Sequence, residues 1–195
     1  MPRPRRISDD DILSAAIRVM QQVPPAEFTL ALVGREAGLA PATLLQRFGS
    51  KLGLLEAVAR AGVDGMAKTL VAVRARHASP VRALEAYLAG FALLAPNADA
   101  LANNLAYLQM DLLDPSLRAQ TRAMFEAHEL ALHSLLDDAV QAGELRELDT
   151  AAVARTLLSV AQGALIVWGV YRTGRVRDAL AQEIRAVLQP YRGGN

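Results

Sequence analysis

The length, composition and charge of the chain exclude several classes of protein. A chain of 195 residues that is 52% hydrophobic is not disordered, and a net charge of +1 argues against a histone-like binder that depends on bulk charge. The absence of cysteine excludes disulfides, thiolate metal sites and thiol redox sensing. The longest apolar runs, 88–95 and 164–170, are far shorter than the roughly 20 residues of a membrane span, and no signal peptide is visible. We therefore expect a cytoplasmic protein without a membrane partner.

Apolar residues recur at helical spacing along almost the whole chain, and no strand-like alternation appears between the turn signals. This pattern predicts an all-α fold of about nine helices. The first helix is opened by Ser8 and three aspartates, whose negative charges suit a helix N-terminus. Ile12, Ala16, Val19 and Val23 are expected to form its core stripe.

Three arginines precede this helix, among prolines that disfavour helix formation. They are Arg3, Arg5 and Arg6. Two interpretations remain open: an arm that follows the phosphate backbone or enters a minor groove of DNA, and a terminus that is simply solvated.

Residues 28–51 predict two short helices joined by a glycine turn. Thr29 can cap a helix over 30–37, because its hydroxyl can accept from the N–H groups of the first turn. Gly38 suits the positive φ that commonly follows a helix C-terminus. Pro41 pre-sets φ for the first position of the second helix, which should end near Phe48. The spacing is that of a helix-turn-helix unit.

The second helix of this unit should face a DNA major groove with its outer side chains. Its apolar positions, such as Leu44 and Phe48, are expected to face inward. The predicted DNA-contacting residues are Arg3, Arg5, Arg6, Thr29, Pro41, Ala42, Thr43, Leu45, Gln46, Arg47 and Lys51. The alternative is a corner inside a helical bundle with no nucleic acid. The exposed polar and basic side chains beside the arginine tail favour the DNA interpretation.

The rest of the chain predicts one long helix and five further helices. The helix after Lys51 should run to about residue 77 and connect a DNA-binding domain, 1–55, to a larger helical domain, 56–195. The later helices are expected at 80–95, 98–112, 115–142, 150–172 and 175–190, separated by proline, glycine and asparagine signals.

The last two helices carry unusually broad apolar faces. A helix that is hydrophobic on most of its circumference must be buried, and small residues such as Gly163 allow a close approach. Either the pair forms an interface between two copies of the chain, or it is ordinary core packing. The predicted dimer-interface residues are Val160, Ala164, Val167, Tyr171, Leu180, Ile184 and Val187.

The order of residues around the helix-turn-helix resembles the TetR/AcrR-type transcriptional regulators over roughly residues 8–60. The residues that carry the resemblance are Thr29, Val33, Ala37-Gly38-Leu39, Thr43-Leu44, Phe48, Ser50-Lys51 and Leu54-Leu55. Leu45 stands where the family usually has tyrosine, Arg47 where it often has histidine, and Ala40 where it has a small hydroxyl cap. The resemblance implies a homodimer on a four-helix interface, operator DNA as partner, and a small ligand held among the C-terminal helices.

Polar and aromatic residues that interrupt apolar helices mark where such a ligand should bind, because ligand pockets are mostly apolar with a few placed polar groups. The predicted lining residues are Asn103, Tyr107, Met110, Phe125, His128 and Trp168. Taken alone, each is better explained as a core or interface residue. The abundance of leucine and alanine suggests an apolar or amphipathic ligand.

Catalysis has little support in the sequence. Glu129, His133 and Asp137 share one helical face and could offer metal ligands or an acid–base pair, but a solvated helix face with i, i+4 partners is the better explanation. No HExxH arrangement, glycine-rich phosphate loop or Gly-x-Ser-x-Gly elbow occurs. We therefore expect no enzymatic activity, no metal site and no cofactor.

Two functions follow from the sequence. The first is a homodimeric DNA-binding transcriptional regulator, most simply a repressor that a small ligand releases from its operator. The alternative is a dimeric helical ligand-binding or scaffold protein that has lost DNA binding, for which Leu45 and Ala40 are the evidence.

Overall fold

A computed structural model describes residues 7–192 of the chain. Within that range the fold is all-α, as predicted. Its helices are α1 (Asp9–Gln22), α2 (Leu30–Ala37), α3 (Pro41–Phe48), α4 (Lys51–Arg76), α5 (Pro80–Ala89), α6 (Ala98–Leu113), α7 (Pro115–Gln141), α8 (Thr150–Tyr171) and α9 (Val176–Leu188). The helix predicted at 80–95 stops at Ala89, and the chain tightens into a 3-10 turn over Gly90–Leu94.

Side-chain caps explain why most helix starts were predictable. At α1 the hydroxyl of Ser8 accepts from the Asp11 backbone N–H at 3.1 Å, and the Asp11 carboxylate accepts from the Ser8 backbone N–H at 3.0 Å. This reciprocal pair satisfies two backbone donors that the helix leaves unpaired. Single caps of the same kind begin α2, α4, α5, α6, α7 and α8.

The described residues form two apolar clusters. The first, which we call the reader cluster, consists of Ile12, Ala15, Ala16, Val19, Phe28, Val33, Leu44, Leu54, Leu55, Tyr107 and Leu117. Most of it comes from α1 to α4, but Tyr107 belongs to α6 and Leu117 to α7. The N-terminal helices therefore complete their core with residues from the second half of the chain.

The second cluster, the C-terminal cluster, takes its buried residues from α5 to α9, the 3-10 turn and the connecting residues Ala95 and Leu145. Its fully buried leucines include Leu84, Leu88, Leu132, Leu135, Leu136, Leu157 and Leu180. At the level of order of magnitude, burying one such side chain contributes about 1.5 to 3 kcal/mol relative to leaving it exposed.

The long helix α4 runs between the two clusters. Its 26 residues span about 39 Å at 1.5 Å per residue. Its C-terminal end is fixed to α7, because the Arg74 guanidinium lies 2.7 Å from the Asp138 carboxylate and donates to the Ser134 hydroxyl at 2.6 Å. The helix passes residues 55 and 56 without interruption, and a domain division at that point remains a proposal.

The apolar part of α8 is longer than the run 164–170 predicted. By length and composition its 22 residues are enough to cross a membrane, with a mean hydropathy of 1.5 over the most apolar stretch. The expectation that no stretch approaches a membrane span is therefore wrong by that measure. Of the same stretch, 39% is buried inside the protein, where it packs in the C-terminal cluster. A core helix with one apolar outer face has the same composition.

Candidate nucleic-acid interface and ligand cavity

The corner between α2 and α3 forms as the sequence predicted. The Thr29 hydroxyl accepts from the Leu32 backbone N–H at 3.2 Å, and Gly38 ends α2 with φ of 69°. The turn also packs tightly against α2. A Cβ atom at Gly34 would lie 2.6 Å from the Leu39 carbonyl oxygen, so this position accepts no side chain without a backbone shift.

The outer face of α3 carries the predicted reading side chains. Leu44 is fully buried in the reader cluster, which fixes the rotation of the helix. Of the predicted contact residues on this helix, Pro41, Ala42, Leu45, Gln46 and Arg47 are exposed, and Thr43 is half-buried. Ala40 makes no side-chain hydrogen bond at the start of α3. The fixed φ of Pro41 at the first helical position preorganises the backbone for the helix instead.

The two cations at the end of this surface have partners inside the protein. The Arg47 guanidinium donates to the Ile7 carbonyl at 3.0 Å and to the Asp9 carboxylate at 3.1 Å. The Lys51 ammonium donates to the Pro25 carbonyl at 2.6 Å. An exposed pair such as Arg47 and Asp9 contributes little stability, about 0 to 1 kcal/mol. A phosphate can therefore compete with Asp9 for the guanidinium.

Lys51 has a second internal contact, since its ammonium lies 5.7 Å from the centre of the Phe28 ring. These contacts hold the loop before α2, so Lys51 has a structural role in addition to any contact with DNA. The predicted contacts at Arg3, Arg5 and Arg6 lie outside the described residues.

The outer surface of the C-terminal part of α8 is apolar. Val167, Val170 and Tyr171 are 54%, 75% and 72% exposed, although the side chains are largely hydrophobic. Val167 and Tyr171 line a groove between the two helices together with Val160 and Ala164, all four of which were predicted interface residues. We call this region the α8–α9 surface.

Three predicted interface residues on α9 face the protomer's own core. Leu180 and Ile184 are fully buried in the C-terminal cluster, and Val187 is half-buried against it. Leu180 and Ile184 therefore have no surface to offer a partner, and their assignment to the interface is corrected. The stripe on α9 was misread because a helix on the outside of a domain uses its apolar face for its own core.

The structure does not bring the six predicted ligand residues together. Phe125 and His128 pack in or against the C-terminal cluster. Trp168 lies at the α8–α9 surface, where its indole N–H donates to the Gly174 carbonyl at 3.2 Å. Asn103 donates to the Gln21 carbonyl at 3.0 Å.

The remaining two, Tyr107 and Met110, line a cavity of about 260 Å³ between α1, α4, α6 and α7. This volume is just below the ~300 to 1,000 Å³ of ordinary small-molecule sites. The lining residues are Ile17, Met20, Gln21, Leu55, Val58, Ala59, Gly62, Leu94, Asn104, Tyr107, Met110, Asp111, Leu117, Gln120, Thr121 and Met124.

Tyr107 also connects α6 to the end of α1. Its hydroxyl donates to the Val23 carbonyl at 3.2 Å, and its ring meets the edge of the Phe28 ring with centroids 6.1 Å apart. Burial raises the pKa of Tyr107, so the hydroxyl stays protonated and remains a donor. Together with the Asn103 bond to Gln21, this forms what we call the α1–α6 tether.

His128 occupies a different environment, in the C-terminal half. Its Nδ1 atom lies 2.9 Å from the Tyr87 hydroxyl, and its ring is 4.7 Å from that of Phe91. Burial lowers the pKa of His128 to about 4 and raises the pKa of Tyr87 to about 12. Both groups are therefore neutral at pH 7 and form a polar pair within an apolar core.

Sequence reasoning missed Asp111 as a cavity residue. It follows Tyr107 by four positions on α6, so the two residues share a helix face. The Asp111 carboxylate accepts from the Thr121 hydroxyl at 2.8 Å. Burial raises its pKa, the Thr121 bond lowers it, and the charge of Asp114 raises it again. The i, i+4 relation to Tyr107 was the signal that could have identified it.

Residues 12–58 match the bacterial regulatory proteins of the tetR family. The sequence has no significant match among curated proteins.

Solved structures match almost the whole chain. A TetR transcription regulator from Haloarcula marismortui superposes with a TM-score of 0.78 at 17% identity, over 95% of this chain and 98% of that one. A transcriptional regulator from Saccharomonospora viridis in complex with choline gives 0.75 at 20% identity, over 93% and 95%. SmeT, the repressor of the Stenotrophomonas maltophilia efflux pump SmeDEF, gives 0.70 at 20% identity, over 97% and 93%. At these identities the likeness concerns the fold.

Proposed function

We propose that this chain is a homodimeric transcriptional repressor that reads its operator with α3, because residues 12–58 match the tetR family and the fold is similar to that of TetR regulators. The observation that carries this proposal is the exposed outer face of α3 on a glycine-turn corner. A bundle corner without nucleic acid has no need of Gln46 and Arg47 on that face. Since bacterial DNA lies in the cytoplasm, we place the protein there.

The side chains on α3 divide by the kind of contact they can make. Gln46 and Thr43 can form hydrogen bonds with base edges, which carry sequence information. Arg47 and Lys51 are cations that suit phosphate oxygens, which position the protein on the duplex without reading sequence. Leu45, which is 52% exposed, offers an apolar contact such as a thymine methyl group.

A binding titration with DNA from upstream of the chain's own coding region tests the reading helix. Gln46→Ala should relax sequence preference and cost roughly 1 to 3 kcal/mol for a lost base contact. Lys51→Ala should weaken binding to all sequences and lower the salt slope by about one. Lys68→Ala, which removes an exposed lysine further along α4, is the matched control and should leave both quantities unchanged. Wild-type affinity and specificity in both test variants would mean that α3 does not read DNA.

The exposed apolar residues of the α8–α9 surface support the homodimer. A second copy of the chain would bury this surface and place two reading helices on one face of the DNA, as a two-fold operator requires. Val170→Glu should give a monomer in sedimentation at micromolar concentration, because it places a charge in the interface. Val71→Glu makes the same change at a residue that is 67% exposed on α4, and should stay dimeric. Dimers in both variants would move the interface elsewhere.

Release by a small ligand completes the proposal. One structural neighbour is described as a repressor and another as a complex with choline, and the cavity beside α1 offers a place from which a ligand can act on the DNA-binding helices. A ligand shifts DNA affinity only through unequal affinity for the two arrangements of those helices, typically by about 1 to 3 kcal/mol.

The second candidate function is a dimeric ligand-binding or scaffold protein without DNA binding. Two observations favour it: Ala40 leaves α3 without a side-chain cap, and Arg47 is already engaged by Asp9. It predicts the same dimer and the same cavity. The titration above separates the two, since the scaffold would bind no upstream DNA with sequence preference.

A further inference from the structure

The cavity between α1, α4, α6 and α7 has an uneven distribution of charge. Its described lining of sixteen residues is mostly apolar, and Asp111 is the member that can carry a charge at neutral pH. Lysine, arginine and histidine do not occur among these lining residues. The interior of the cavity therefore presents one carboxyl group within a mostly apolar wall.

Asp111 is held in place by a neutral hydrogen-bond donor, and no cationic residue of the lining pairs with its carboxyl group. Its Oδ2 atom accepts from the Thr121 hydroxyl at 2.8 Å, which fixes the orientation of the carboxylate. A carboxylate has about four acceptor positions, so one neutral donor leaves acceptor capacity. Burial and the neighbouring charge of Asp114 both disfavour the charged form. A cationic group in the cavity would offset both effects.

We propose that this cavity binds a small organic cation, with its apolar body among the leucine and methionine side chains and its positive group against Asp111. The effect of that ligand on transcription rests on the proposed function, but its binding does not. The volume of about 260 Å³ limits the ligand to a small molecule.

The position of the cavity places a ligand against α1, which packs on the helices that hold the reading helix. Ile17 and Met20 of α1 form part of its wall, and α1 also packs against α2 and α4 in the reader cluster. Tyr107 lines the cavity and makes the bond to Val23 at the end of α1. A ligand that moves Tyr107 therefore moves the end of α1 as well.

Three probes of similar size and different charge test the proposal: 2-phenylethylammonium, 2-phenylethanol and 3-phenylpropanoate. Their dissociation constants are measured by ligand-observed NMR titration with the full chain and no DNA. We expect the ammonium to bind about tenfold or more tightly than the alcohol, since a charge pair in a partly buried site is favourable, and the anion to bind most weakly. Equal affinities for ammonium and alcohol, or no binding of any probe at millimolar concentration, would overturn the proposal.

Two pairs of variants identify the charge and the place. Asp111→Asn should remove the preference for the ammonium over the alcohol, whereas Asp64→Asn, an exposed carboxylate on α4 outside the lining, should retain it. An ammonium preference that survives in Asp111→Asn would contradict the assignment.

The second pair uses glycines of α4, where an added Cβ meets no other atom within 4 Å. Gly62 lines the cavity and Gly65 does not. Gly62→Leu should therefore weaken binding of the ammonium and alcohol probes, and Gly65→Leu should not. Equal effects of the two leucines would place the probes elsewhere. Because no DNA is present, failure here leaves operator binding intact, and failure of operator binding leaves this measurement intact.

Discussion

The two apolar clusters differ in whether their buried residues come from one half of the chain or from both. The C-terminal cluster draws all of its fully buried residues from Val81 onward. The reader cluster needs Tyr107 from α6 and Leu117 from α7, far away in sequence. The N-terminal helices are thus packed on α6 and α7, which also line the cavity proposed above for a ligand.

This difference shows where a signal can pass. The helix α4 joins the halves along the chain, but the α1–α6 tether joins them through space, beside a cavity that α1 itself lines. Coupling through α6 therefore needs no bending of α4. The clusters also differ in chemistry, because the C-terminal cluster contains the polar pair of Tyr87 and His128.

The largest expected effect comes from truncating one core residue in each cluster. Phe28→Ala should destabilise the chain by about 3 to 5 kcal/mol and Leu84→Ala by about 2 to 5 kcal/mol, because each leaves a cavity in a packed site. Hydrogen exchange should show Phe28→Ala lowering protection in α1 to α3 and around Tyr107, whose ring packs on Phe28. Leu84→Ala should lower protection in α5 and α7 first. Identical exchange patterns would mean that the two clusters unfold as one unit.

The next largest effect should be the pH dependence of the free energy of unfolding, to which the C-terminal cluster contributes through His128. The His128 pKa is about 4 in the folded chain and about 6.5 when unfolded. Between these values the unfolded state binds more protons, so stability falls as pH falls from 6.5 towards 4. Since the ring is only partly buried, we expect a loss of about 1 to 2 kcal/mol.

Denaturant melts at pH 7.0 and 5.0 measure this loss. The difference in the free energy of unfolding between the two pH values should be smaller in His128→Phe than in wild type. It should persist in His133→Phe, the same substitution at a histidine of α7 whose side chain is 41% exposed. A loss of equal size in wild type and His128→Phe would assign the acid sensitivity to carboxylates instead.

The smallest of these effects concerns the α1–α6 tether. Tyr107→Phe removes one hydroxyl donor and leaves the Val23 carbonyl without it, which should cost about 1 kcal/mol of stability. The ring contact with Phe28 is kept. The sharper readout is coupling: operator DNA should weaken binding of the ammonium probe in wild type, and by a smaller factor in Tyr107→Phe. An unchanged factor would leave α4 as the route of coupling.

The local sequence was sufficient to predict the helices and the corner. Ser8, Thr29, Gly38 and Pro41 act on their immediate neighbours, so their effect can be read without knowledge of the fold. The same holds for Leu44, whose burial fixes which side of α3 faces outward.

The long-range placements were not predictable in the same way. Periodicity showed that α9 has an apolar stripe, but it could not show whether Leu180 faces its own core or a partner. In the structure Leu180 is buried in its own core. Asn103 and Trp168 were grouped because they are polar or aromatic, while the fold places them at different surfaces. The ligand site depends on how helices cross, and a single sequence does not contain that information.

Selection of bound sequences from random duplex DNA by the purified, full-length chain tests the central claim most directly. A dimer that reads with α3 should enrich a palindrome whose half-sites lie about one helical turn apart, or a multiple of it. The same selection with Gln46→Ala should enrich a site that is degenerate at one position in each half. Recovery of no shared sequence, or of a single unpaired site unchanged in Gln46→Ala, would contradict the account.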